Sequence, residues 1–232
     1  MDWQKPFAWQ VGHLGEKYNE WVHQPVDQPI RLFESEFLEA RTQAACNLTH
    51  MPIYHSDLFC LFSSLAVFLP HLSGSVLRTY SHVVFVTFGL GMFLWFFMVY
   101  CMHFLLHQLP SSNYYFITLH FLLHGHHHKS PHDRLQTVFP PILAFLLFAG
   151  LFLILQCLLP VGLDMSMLLG LICGYVISDM VHYYLHHSLP STNAYFHDIR
   201  TIHMKHHFEQ PHKGLGIATT TWDWVFNTVI LP

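Results

Sequence analysis

Long apolar runs alternate with polar, histidine-bearing stretches along the chain. A hydrocarbon core about 30 Å thick takes roughly 20 apolar residues to cross as a helix. Residues 83–102 and 139–159 meet that length without a charge, and residues 163–181 are shorter, with Asp164 and Asp179 near the ends. Residues 58–77 are apolar but contain Pro70 and His71. The pattern predicts four transmembrane helices, and Pro160-Val161-Gly162 leaves room only for a tight turn, so the last two form an antiparallel hairpin.

Charge orients these spans. Lys5, Lys17, Arg31 and Arg41 precede them, Lys129 and Arg134 lie in the loop after the second, and Arg200, Lys205 and Lys213 follow the last. Arg78 alone falls on the other side. The positive-inside tendency puts the N-terminus, that loop and the C-terminus in the cytosol. The expected organisation is a cytosolic N-terminal segment, residues 1–57, and a membrane domain, residues 58–232, with residues 103–138 and 182–232 forming a cytosolic helical cap. Asn47-Leu48-Thr49 is a glycosylation sequon that this topology leaves on the cytosolic side and unmodified.

Composition narrows the class. Hydrophobic residues make up 52% of the 232 and charged ones 10%, against about 25% charged in soluble domains. The bilayer is the expected solvent. Ten Lys and Arg spread along a chain of net charge -4 offer no basic patch, so no nucleic acid partner is expected. Five scattered cysteines without a C-x-x-C imply neither a disulfide framework nor a thiolate metal site. The polar, aromatic start, Met1-Asp2-Trp3-Gln4-Lys5-Pro6, predicts no cleavable signal peptide.

The candidate chemistry lies in the histidines. Of 22, ten fall in four clusters: His103/His107, His124/His127/His128, His182/His186 and His203/His206/His207. Helical residues three and four apart share a face, so each H-x-x-H-H is expected to aim three imidazoles one way. Neutral imidazole ligates zinc, iron and copper. Ten such ligands exceed the needs of one ion and suit two, each with about four or five ligands and an open position. The fold class expected is thus all-α integral membrane, with four transmembrane helices and a cytosolic cap holding a histidine-rich dinuclear metal site.

Other residues are read more plainly. Asp179 sits one turn before His182 on one helical face; it either holds an imidazole tautomer as a partner behind the ligands or caps the helix at the membrane edge. His120 is placed to line the site, whereas His126 points off the stripe toward solvent or headgroups and His187 also points away. Isolated histidines, His23 and His212 among them, are given no role. Trp222 and Trp224 are read as interfacial anchors.

The chain resembles the fatty acid 2-hydroxylase branch of the fatty acid hydroxylase and sterol desaturase superfamily. The likeness rests on His124-Gly125-His126-His127-His128-Lys129-Ser130-Pro131 followed by Val138-Phe139-Pro140-Pro141, and on Gly174-Tyr175-Val176 leading to Asp179 and His182-Tyr183-Tyr184-Leu185-His186. It continues in His203-Met204-Lys205-His206-His207-Phe208, in Gly214-Leu215-Gly216-Ile217 with Trp222-Asp223, and in the opening residues through Trp21-Val22-His23-Gln24-Pro25. Residues 42–95 match least.

That resemblance implies an endoplasmic-reticulum enzyme that activates dioxygen at a histidine-ligated metal pair, with iron in the working enzyme and zinc possible after purification. The implied reaction is hydroxylation at the 2-position of long and very long acyl chains of ceramide and sphingolipids. The ten clustered histidines occupy the family's ligand positions. Three features depart from the pattern: His103 and His107 are separated by three residues rather than four, Ser178 stands where a tyrosine precedes the aspartate, and the cytochrome b5 domain of many relatives is not in this sequence. Electrons are then expected from separate cytochrome b5 and its nicotinamide-dependent reductase. A sterol oxidase or desaturase of the same superfamily, or an inactive metal-binding relative, are the alternative readings.

Overall fold

The computed structural model describes residues 1–28, 30–33, 74–108, 112–139, 141–188 and 192–232. Their regular structure is helical, with no strand among the described residues. A 3-10 turn at Val11–Lys17 leads into α1, Tyr18–Val22, and α2 runs from Gly74 to Gln108. Then come α3, Tyr114–His120, a π-helical turn at Phe121–Gly125, α4, His126–Lys129, and α5, Arg134–Thr137. The apolar α6, Pro141–Leu158, and α7, Leu163–His187, are followed by α8, Ala194–Phe208, and α9, Thr221–Phe226.

The expected first span falls at residues 58–73 outside the described residues. Its last part, residues 74–77, instead opens α2, so no break separates it from the expected second span at residue 83. Beyond Gly74 the sequence through His82 holds no Gly or Pro, and nothing there stops a helix. Two helical stretches are long and apolar enough to cross a membrane, His82–Gln108 and Leu163–His187, and Leu143–Leu158 is a shorter apolar helix.

The chain forms two compact units. One comprises residues 53–99 and 139–181. In it Gly91 and Gly170 let α2 and α7 approach backbone to backbone: a Cβ on Gly170 would overlap the Phe88 carbonyl, and one on Gly91 the Met167 carbonyl. Trp95 stacks on Phe148 at 5.3 Å and meets Tyr175 edge-on at 5.5 Å. The α6–α7 turn is the expected tight one: Gly162 takes φ 96°, and Asp164 Oδ1 accepts from the Gly162 and Met165 amides at 2.8 Å. Phe85, Val86, Phe145 and Leu158 stay more than two-thirds exposed, a surface that suits lipid rather than water.

The other unit comprises residues 1–52, 100–138 and 182–232. Phe7, Val11, Tyr18, Val22, Ile117 and Phe121 form its apolar core, which fastens the N-terminal segment to α3. Asn113 caps α3 by accepting from the Tyr115 and Phe116 amides, and Asn193 caps α8 by accepting from the Phe196 amide. This unit contains all ten clustered histidines.

Candidate metal centre

Four short stretches carry the histidines into one place. His103 and His107 occupy the last turns of α2, and His182 and His186 the last turns of α7. His124 lies in the π turn, His127 and His128 on α4, and His203, His206 and His207 on α8. The side chains gather into two groups of five: His103, His107, His124, His128 and His206; and His127, His182, His186, His203 and His207. Within each group the nearest ring nitrogens all lie within 4.8 Å of one another.

The expectation that each triplet aims one way needs correcting. His127 leaves its partners for the second group, and His206 leaves its own for the first. Positions i+3 and i+4 sit on opposite sides of position i, about 100° apart around the helix, so adjacent histidines diverge enough to serve two centres. The π turn before His126 adds to the offset, as such turns often do at functional sites.

The nitrogens converge in a way that suits a cation. His124 Nε2 lies 2.9 Å from His103 Nε2, 3.2 Å from His107 Nε2 and 2.8 Å from His128 Nε2. A neutral imidazole nitrogen has one proton or one lone pair, never enough for three nitrogen neighbours. In the second group His186 Nε2 lies 3.1 Å from His127 Nε2 and 2.8 Å from His203 Nε2. Backbone carbonyls fix several tautomers: Nδ1 of His103 donates to Leu215 (2.7 Å), of His206 to Lys213 (2.8 Å) and of His182 to Thr137 (3.1 Å). Those rings present a bare Nε2 inward, the arrangement that orients metal-ligating histidines. Nε2 of His182 and His206, and both nitrogens of His207, are buried without a hydrogen-bond partner.

Burial sets the protonation state. It pushes His124, His127, His128, His203, His206 and His207 well below the usual imidazole range, and neighbouring imidazoles push most of them further. These six rings are neutral lone-pair donors at physiological pH.

Supporting residues went largely unread in the sequence. Asp223, 1% exposed, accepts from the Leu215 amide (2.8 Å), the Gly216 amide (2.9 Å) and Thr228 Oγ1 (2.8 Å), which shapes the loop whose Leu215 carbonyl orients His103. His126 is buried rather than facing solvent or headgroups, because its Nδ1 donates to the Phe121 carbonyl at 2.8 Å across the wide turn. His120 hydrogen-bonds Tyr18 through Nδ1 at 2.5 Å and lies about one ring away from His107 and His124. His187 stays outside both groups, bonded to Thr137 Oγ1 at 2.9 Å. Asp179 is buried and its Oδ1 accepts from the Phe139 amide at 3.2 Å, while Thr137 holds the Nδ1 of His182. The sequon at Asn47 lies outside the described residues.

A profile of the family described as fatty acid hydroxylase matches residues 88–228. The chain belongs to that family. Among similar proteins, the fatty acid 2-hydroxylase of Mus musculus is 43% identical over 99% of this chain and 64% of its own length. The dihydroceramide fatty acyl 2-hydroxylase FAH2 of Arabidopsis thaliana is 36% identical over 99% of this chain and 93% of its own. A solved structure described as full-length scs7p, with only its hydroxylase domain visible, matches at a TM-score of 0.79 and 27% identity over 99% of this chain and 85% of that one. The chain thus spans 64% of the mammalian relative. In this fatty acid hydroxylase family member the convergent bare nitrogens suit a di-metal site, and hard oxygen-preferring cations fit it poorly because its donors are all imidazole.

Proposed function

We propose that the chain hydroxylates, with dioxygen, the 2-position of long and very long fatty acyl chains of ceramide and other sphingolipids. The observation that carries this reading is the pairing of two five-histidine groups with 43% identity to a fatty acid 2-hydroxylase. His103, His107, His124, His128 and His206 would hold one metal ion, and His127, His182, His186, His203 and His207 the other. The pair would be iron in the working enzyme, with zinc able to replace it during purification. When bound, it would supply the redox chemistry that puts one oxygen atom of dioxygen into the C–H bond, the other leaving as water with two electrons from the donor.

The protein's own share is positioning. A C–H bond beside a carboxyl or amide offers little to acid-base catalysis, so selectivity for the 2-position comes from fixing the headgroup at a set distance. Asp179 contributes by anchoring the chain at Phe139, two residues beyond the carbonyl that orients His182. Four transmembrane helices would hold the enzyme in the endoplasmic reticulum, with both termini and the metal-bearing cap in the cytosol. Cytochrome b5 and a nicotinamide-dependent reductase would deliver electrons in trans.

Expression in a cell lacking its own sphingolipid 2-hydroxylase, with mass spectrometry of ceramide acyl chains, tests this. New 2-hydroxy acyl chains that vanish in His206→Ala are the expected result. Stable, metal-loaded protein without them would overturn the reading in favour of another substrate of the superfamily or an inactive relative.

A further inference from the structure

An eleventh histidine stands against the first group, contributed by the N-terminal segment. The ring of His23, just past α1, lies 5.1 Å from that of His128 and 6.1 Å from that of His107. Its Nδ1 donates to the Asn19 carbonyl at 2.8 Å, and its Nε2 is buried without a hydrogen-bond partner. This is the pattern seen in His182 and His206: a carbonyl fixes the tautomer and leaves a bare lone pair.

The placement is enforced. Lys129, the residue after His128, donates its ammonium to the Trp21 carbonyl at 2.8 Å and to the Gln24 carbonyl, the two carbonyls that flank His23. Its own carbonyl accepts from the Val26 amide at 2.8 Å, and its Nζ lies 4.4 Å from the centre of the Trp21 ring. The loop bearing His23 is therefore tied to the residue that follows a metal-facing histidine.

His23 stands one layer outside the five. Its ring is as close to His128 as the rings within the group are to one another, but it is 6.1 Å from His107, and it is not among the five whose nitrogens all lie within 4.8 Å of one another. A six-coordinate ion held by these five imidazoles would keep one position for a small exogenous ligand. The exposed His212 has its ring 6.3 Å from His107, so solvent comes close on this side.

We propose that His23 is a positioning residue for that ligand, accepting through Nε2 a hydrogen bond from the water or hydroxide that completes the first metal's coordination. The inference rests on the di-metal reading. A bare lone pair at this distance favours a ligand with an O–H and disfavours one that presents only lone pairs.

The test uses the full chain loaded with cobalt(II), measuring metal per chain by mass spectrometry and azide affinity by visible absorption. The parent should hold two cobalt ions; if it holds none, the di-metal reading itself has failed. His23→Phe, or His23→Ala should the bulkier variant not accumulate, should keep both ions and bind azide about tenfold more tightly, since removing the acceptor lifts its discrimination. His23→Gln, whose amide oxygen accepts, should return the affinity toward that of the parent. A drop to one ion in His23→Phe would make His23 a ligand, and an unchanged azide affinity would make it mere packing; either result overturns the proposal.

Discussion

His128 and His207 stack with ring centroids 4.2 Å apart and planes at 26°, yet they belong to different five-histidine groups. Each is the last histidine of an H-x-x-H-H, and each has its immediate neighbour in the opposite group. The α4 and α8 stretches therefore both feed both groups, and the stack is the closest of the ring pairs that join them. Its loss should be felt on both sides. His207→Ala is expected to lower the metal content at both positions, from about two ions per chain to below one. His182→Ala, whose ring neighbours are all in the second group, should leave about one. Metal analysis of the two purified variants distinguishes these outcomes.

Asp223 reaches the first group through the Leu215 carbonyl. Asp223→Asn keeps the size of the side chain but replaces one acceptor oxygen with a donor that faces an amide N–H. The Leu215–Gly216 loop should shift, and with it the orientation of His103. The expected cost is about 1–3 kcal/mol of stability and a loss of about 10- to 100-fold in metal affinity. Chelator competition combined with thermal unfolding in detergent measures both, and unchanged metal affinity would refute the link.

Gly125 lies where the π turn passes Tyr18 and His120. A Cβ there would overlap the Tyr18 hydroxyl and come within 2.9 Å of His120 Nδ1. Gly125→Ala should therefore destabilise the protein by about 1–3 kcal/mol through overpacking, even though alanine favours helix. Tyr18→Phe combined with Gly125→Ala should recover part of that loss, because the clashing oxygen is gone. A double-mutant cycle on unfolding midpoints gives the answer.

Acid should dismantle the site. Burial lowers His126 to about 4 and His120 to about 3, from 6.5 in the unfolded chain. With the folded value depressed, the unfolded state binds protons first as pH falls. The stability from these neutral rings is thus complete above pH 6.5 and is lost as pH drops toward 4 and 3. Each such ring costs up to about 1.4 kcal/mol per pH unit within that window. The metal-free protein should show a flat unfolding midpoint from pH 8 to about 7 and a steep fall below pH 6, followed by calorimetry or fluorescence.

Much of the clustering was legible in the sequence because helical spacing is local. His103/His107 and His182/His186 are each a helical turn apart, and a turn brings such a pair to one face whatever the rest of the chain does. The apolar lengths of residues 83–102 and 163–181 likewise marked helices, since hydropathy depends on composition alone. The division of each triplet between two groups was not legible. Whether adjacent histidines such as His206 and His207 serve one centre or two depends on what stands on either side of their helix.

The supporting residues show the same limit. Nothing near Asp223 in the sequence says that it shapes a loop behind His103, for the two positions lie 120 residues apart and come together only because the end of α2, from Tyr100, and α9 belong to one unit. His126 reads as a polar residue off the stripe, and the wide turn at Phe121–Gly125 gives it a buried carbonyl partner. The sequence by itself determined the kind of chemistry, because imidazole content and helical spacing are properties of short segments. The tertiary structure alone decided which imidazole joins which group and which carbonyl fixes its tautomer, because those contacts form between segments that only folding brings together.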